Sequence, residues 1–205
     1  MVKSGLVDDP RVSQYRLTAH LSLAFVIFTA IVWLALDLAR PRLAKAVRAQ
    51  ADAALRRVRG LALGIALWIA YMVVTGGFVD GIRAGKAYNT FPLMNGHVVP
   101  PEIFMIEPWY LNFFNNMATV QFDHRVGAWL LFLLVPVLWW KLRTGDGVPA
   151  RAEKGGSALL AVLAIQLGLG IATLLLVVPL SLAALHQAGA AIVFAIAVYV
   201  AHAMR

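Results

Sequence analysis

Two short runs in this sequence begin with histidine and close on glycine and alanine: His124-Arg-Val-Gly-Ala and His186-Gln-Ala-Gly-Ala. On a helix, the residues three and four beyond a side chain share its face. Gly127 with Ala128, and Gly189 with Ala190, therefore leave a flat hollow beside each imidazole. Small residues also let membrane helices pack closely, which accounts for Gly and Ala taken alone. It does not account for a histidine at the head of both hollows. Two imidazoles on facing helices, over small residues, are the ligand set of a six-coordinate haem iron. Zinc asks instead for three or four N, O or S ligands in a tetrahedral array, and no adjacent cluster of that kind occurs. Cysteine is absent, so thiolate sites and redox dithiols are excluded and any redox chemistry must come from a cofactor.

The elements that carry these residues read as membrane spans. Of 205 residues, 61% are hydrophobic and 14% charged, and mean hydropathy is +0.77. Crossing a bilayer takes about 20 mostly apolar residues. Five segments qualify, near residues 17–36, 60–79, 120–140, 157–178 and 180–204. The predicted fold class is all-α, a polytopic membrane helical bundle of five transmembrane helices. The net charge of +8 suggests nucleic acid only until its location is considered. Arg40, Arg42, Lys45, Arg48, Arg56, Arg57 and Arg59 lie between the first two spans, and Lys141, Arg143, Arg151 and Lys154 between the third and fourth. The intervening outer loop carries only Arg83 and Lys86, with Arg125 at the mouth of the third span. By the positive-inside rule the C-terminus is cytoplasmic and residues 80–119 face outward. The charge thus reports topology and anionic lipid, with no nucleic-acid partner. With five spans the N-terminus falls outside, despite Lys3, Arg11 and Arg16. Residues 1–16 are polar and the first apolar run is a full span, so no cleavable signal peptide is expected. The outward start fits a chain that has lost an odd number of upstream helices.

Spans one, three and five run the same way, and His20, His124 and His186 each fall about one turn inside the outer end. Ionisable residues at such depth are costly and call for a shared explanation. His97, in the outer loop, and His202, near the cytoplasmic end, sit at other depths and are given no role. Span one also partly repeats span five: with His20 set on His186, Ala24 pairs with Ala190, Phe28 with Phe194 and Trp33 with Tyr199, although Leu23 stands where Gly189 does. The expectation is a duplicated four-helix unit. Residues 1–59 are the last helix of a truncated first unit plus a basic loop, and 60–205 a complete second unit whose four helices bind haem. His20 is then a ligand whose partner lies outside the chain. Arg125 is placed to neutralise a haem propionate and Asp123 to orient or balance that charge; interfacial snorkelling explains the pair equally well. Arg83 and Lys86 are weaker propionate candidates. The outer loop reads as a cap over the haem edge or as a plain connector.

The outer segment GGFVDGIRAGKAYNTFPLMNGHVVP, then PWYLNFFNN, VQFDHR and the late LHQAGA closely resemble the C-terminal half of haem A synthase, of the alphaproteobacterial and mitochondrial type within the cytochrome oxidase assembly family. The start, MVKSGLVDDPRVSQYRLTAHLSLA, resembles the segment entering that family's fourth helix. The resemblance covers essentially the whole chain and implies helices four to eight of eight. It implies an oxidoreductase that converts haem O to haem A, oxidising a ring methyl to formyl for cytochrome c oxidase, with haem O synthase and oxidase assembly as partners. It further implies that the C-terminal half holds a haem b that passes electrons, with His124 and His186 as its axial ligands, Arg125, Gly127 and Gly189 around it, and His20 as one ligand of the substrate haem. In the family's first half a Glu-x-x-His-Arg arrangement supplies an acid implicated in catalysis; here that position is Gln121, which cannot relay a proton. Phe-Glu-Asn is also more usual where Phe114, Asn115 and Asn116 stand. No catalytic residue is therefore assigned within the chain. Other readings of the same residues are a stand-alone di-histidine membrane cytochrome b exchanging electrons with quinone, and a transporter repeat whose histidines relay protons. A homo-oligomer is compatible with each.

Overall fold

In the computed structural model, which describes residues 12–39 and 53–205, the apolar segments form five long helices. These are α1 (Gln14–Ala39), α2 (Ala53–Gly81), α4 (Met117–Thr144), α5 (Ala150–Leu175) and α6 (Leu180–Ala203), with a one-turn helix α3 (Asn112–Asn115) before α4. All five are long and apolar enough to cross a membrane. Among the described residues there is no strand, only an isolated bridge between Met94 and His97. The tail up to residue 11 and the basic positions Arg40, Arg42, Lys45 and Arg48 lie outside the described residues.

Helix ends follow local chemistry. The Asn116 side chain accepts from the amides of Ala118 and Thr119, satisfying donors that the first turn of α4 would leave unpaired. Pro149 and Pro179 stand immediately before α5 and α6, where a missing N–H costs nothing. The fourth span was expected to run to residue 178, but α5 stops at Leu175. Val177 and Val178 then take φ values of 62° and 59°, reversing the chain into α6. Hydropathy cannot register a turn made of valines.

Helices α2, α4, α5 and α6 close into a four-helix ring in the order α2–α4–α5–α6 and back to α2, which sets α4 and α6 diagonally across the bundle. Helix α1 lies outside the ring against α2 and α6. It is fastened at both ends. Near its start Thr18 sits so close to α2 that a Cβ on Gly77 would meet its hydroxyl at 2.9 Å. Near its end Asp37 accepts from His202 Nε2 at 3.0 Å and from Arg205 Nη1 at 3.2 Å. Between the fastenings Leu23, Val26, Ile27, Ile31 and Leu34 remain exposed.

The apolar core occupies the end of the ring remote from the loop between α2 and α4. Ile65, Val135, Leu138, Leu142, Leu159 and Val200 are its most deeply buried members. Towards the loop the packing thins: residues 167–192, on α5 and α6, are half-buried or exposed throughout. On α2 and α4 the same end keeps Val73, Thr75, Ala118, Thr119 and Val120 buried, so the thin packing lies on the α5–α6 side, where His186 stands, and His124 faces it from the better-packed side.

Candidate functional site

The loop from residue 82 to 116 is folded down onto the first turns of α4. Asn112, fully buried, accepts from the Ile106 amide and donates to the carbonyls of Ile106 and Trp109. Asn116 donates to the Glu102 carbonyl at 2.8 Å, and Asn115 accepts from Gln14 at 2.7 Å, joining the loop to α1. The Tyr88 hydroxyl donates to the Glu102 carboxylate at 3.1 Å. Burial first, and then that bond, raises the Tyr88 phenol above its ordinary range, so it remains a donor at neutral pH. Gln121 donates to the Ala84 carbonyl and accepts from Arg125. Arg125 donates in turn to Tyr88 O at 2.9 Å, with longer contacts to the carbonyls of Pro92 and Leu93, while its Nε is buried without a partner. The Gln121–Arg125 pair therefore clamps the loop over the helix that bears His124.

Each imidazole is held by a polar side chain and bordered by a glycine of a neighbouring helix. His124 Nδ1 lies 2.7 Å from Thr75 Oγ1 on α2, and a Cβ on Gly76 would stand 3.3 Å from its Cε1. His186 Nδ1 lies 3.1 Å from Gln166 Nε2 on α5, and a Cβ on Gly170 would stand 2.9 Å from its Cε1. Both rings are engaged through Nδ1, which leaves Nε2 as the nitrogen for a metal, and partners of this kind orient metal-binding histidines.

Some expected residues occupy other surroundings. The space over Gly127 is taken by the Met72 side chain, with Trp68 Nε1 donating to the Gly127 carbonyl at 3.1 Å. The space over Gly189 is taken by Gln166. The glycines that border the imidazoles are Gly76 and Gly170, because each histidine faces the adjacent helix rather than the next turn of its own. Thr75, Gly76, Gln166 and Gly170 were not picked out from the sequence. Their signal was there: polar residues and glycines inside apolar spans are where membrane helices place their sites. His20 is exposed on α1. Arg83, Lys86 and His97 are exposed in the loop, and His202 is buried at the far end against Asp37.

A cleft of about 220 Å³ opens beside the site, lined by Tyr71, Val74, Thr75, Phe78, Phe113, Phe114, Val120 and Asp123. Half of its lining residues are aromatic, and it shares Thr75 with the His124 imidazole. Among the described residues, no group of three or more His, Asp or Glu side chains is placed to hold a metal ion. A macrocycle that supplies four ligands of its own needs only two from the protein. The donor set fits such a group: two imidazoles each held at Nδ1, a glycine of the adjacent helix bordering each ring, and an α5–α6 wall thinly packed with side chains.

Residues 1–198 match the family described as cytochrome oxidase assembly protein. The chain is 56% identical over its whole length to a protein named heme A synthase in Nitrosospira multiformis, covering 56% of that protein. It is 45% identical, over 98% of its length, to one of the same name in Parvibaculum lavamentivorans, covering 55% of it. A heme A synthase of Arabidopsis thaliana is 40% identical over the whole chain, which spans 46% of that relative. The chain thus spans about half the length of the curated relatives it matches.

Proposed function

This chain belongs to the cytochrome oxidase assembly protein family and has the helices of a multi-pass membrane protein; from that premise we propose that it is the haem b-binding part of a haem A synthase. The complete enzyme oxidises a ring methyl of haem O to the formyl group of haem A for cytochrome c oxidase. The observation that carries this reading is the placement of His124 and His186 on diagonal helices, each held through Nδ1 by a side chain of a neighbouring helix. Residues 60–205 form the haem-binding unit, and haem b, when bound, supplies one-electron chemistry. His124 and His186 hold its iron, and the glycines keep the rings clear. Arg125, half-buried at the helix mouth, contributes positive charge near the propionate edge while clamping the loop.

Gln121 is engaged on both ends of its amide, so this unit has no proton-accepting carboxylate at that position. The reacting half would be the one to which His20, exposed on α1, contributes a substrate-haem ligand. In this reading the loop end faces outward and the far end the cytoplasm, in an inner membrane, and the aromatic cleft is where a lipid-soluble quinone would exchange electrons. Two measurements test the proposal. Purified chain loaded with haem b should show a low-spin bis-imidazole spectrum that His124→Ala or His186→Ala each abolishes and His202→Ala leaves intact. In membranes of a strain that makes haem O but lacks its own synthase, the chain should yield haem b and haem O only. Haem A in the extracted pigments would overturn the division of labour between the halves.

A further inference from the structure

The two imidazoles are not held alike. The Thr75 hydroxyl has one proton and lies 3.1 Å from the Met72 carbonyl, which can only accept; with the proton directed there, the hydroxyl is an acceptor towards His124. The His124 ring then carries its proton on Nδ1, donated to Thr75 at 2.7 Å, and Nε2 keeps its lone pair. At His186 the neighbour is the amide nitrogen of Gln166, which donates to the His186 carbonyl at 2.9 Å and lies 3.1 Å from Nδ1. An amide nitrogen cannot accept. In this arrangement Nδ1 of His186 is the acceptor and the ring proton sits on Nε2, the nitrogen iron would need. The Gln166 oxygen, meanwhile, is buried with no partner.

We infer that Thr75 and Gln166 are positioning residues that make the two ligands unequal. Thr75 presets His124 as the anchoring ligand, and Gln166 holds His186 as the yielding one. The inference rests on the haem reading above. It follows from donor and acceptor chemistry alone: His124 presents a lone pair before iron arrives, whereas His186 must first give up a proton from the coordinating nitrogen. The unpartnered Gln166 oxygen is an acceptor for Nδ1–H within the same carboxamide, so the cost at His186 lies in rearrangement and not in a missing partner. An acceptor at Nδ1 makes an imidazole a stronger donor and favours ferric iron.

The test uses the full chain in detergent or nanodiscs, titrated with ferric haem b and read by binding, spin state and midpoint potential. His186→Ala should retain haem as a five-coordinate high-spin species, bound at least tenfold more tightly than by His124→Ala. Thr75→Val, nearly isosteric, should weaken haem binding about 10–100-fold, the usual effect of losing a partner of a metal-binding histidine, and should raise the midpoint potential. Thr75→Ser should restore both, and Thr75→Ala carries the same prediction as valine if the valine variant does not accumulate. Gln166→Glu, which puts an acceptor at Nδ1 of His186, should shift the potential downward. A structural role alone would not produce shifts of opposite sign. Equal losses for the two alanine variants, or potentials that stay put or move together, overturn the inference while the haem reading stands. A wild-type chain with no low-spin spectrum overturns the haem reading instead.

Discussion

At the scale of single residues, the site is governed by how closely backbone approaches an imidazole. A Cβ at position 170 would lie 2.9 Å from Cε1 of His186, closer than real Cβ contacts allow, and that ring is tethered through Nδ1 to Gln166. Gly170→Ala should therefore displace the ring, costing about 1–3 kcal/mol of stability as overpacking does and lowering haem content. Gly168, on the same helix, has nothing within 4 Å of such a Cβ. Gly168→Ala should be neutral or stabilising by up to about 1 kcal/mol, the helix propensity difference. Thermal unfolding and haem content of the two purified variants check this; equal behaviour would mean that the His186 ring is not confined where it stands.

At the scale of elements, the turn joining α5 to α6 and the fastening of α1 set what can move. Val177 and Val178 both lie in the left-handed region, where a β-branched side chain is disfavoured by roughly 1–2 kcal/mol per residue. Val178 packs on Gly85 of the loop, its Cγ2 3.0 Å from where a Cβ there would stand, so replacing it loses a contact as well as relieving strain. Val177 is 55% exposed. Val177→Gly should stabilise the protein by about 1 kcal/mol, seen as a raised thermal midpoint; a fall would place the strain elsewhere. Helix α1, with Thr18 as its one buried residue, packs Phe25, Phe28, Val32 and Trp33 against the core and is tied by polar contacts near its two ends. Asp37→Ala removes the acceptor for both His202 and Arg205 and should hasten hydrogen exchange along the second half of α1.

At the scale of the whole molecule, charge and packing are polarised along the bundle axis. Arg56, Arg57 and Arg59 begin α2, and Lys141, Arg143, Arg151 and Lys154 flank the turn between α4 and α5. All lie at the end remote from the 82–116 loop. In the orientation proposed above, which the positive-inside rule favours, the loop end faces outward. Reporter fusions at Asp146 should read cytoplasmic and at Asn95 external; the reverse pair would invert the assignment of the haem end to the outer leaflet. The exposed leucine, isoleucine and valine side chains of α1 face away from the ring.

The sequence by itself determined the all-α class and the number of spans, because hydropathy and length are local properties that need no knowledge of neighbours. It also singled out His124 and His186, since an ionisable side chain inside an apolar run stands out wherever the run packs. It overran the end of the fourth span at Val177 and Val178, where the chain turns on residues that favour neither turns nor left-handed backbone. Tertiary structure alone decided that Gly76 and Gly170 border the imidazoles. A helical repeat gives the spacing of a face but not the direction in which it points. It decided, too, that Thr75 and Gln166 meet the rings, and that Asp37 meets His202 across 165 residues of sequence. Those contacts depend on which helices become neighbours in the ring, and that is set by packing of the whole bundle rather than by any segment within it.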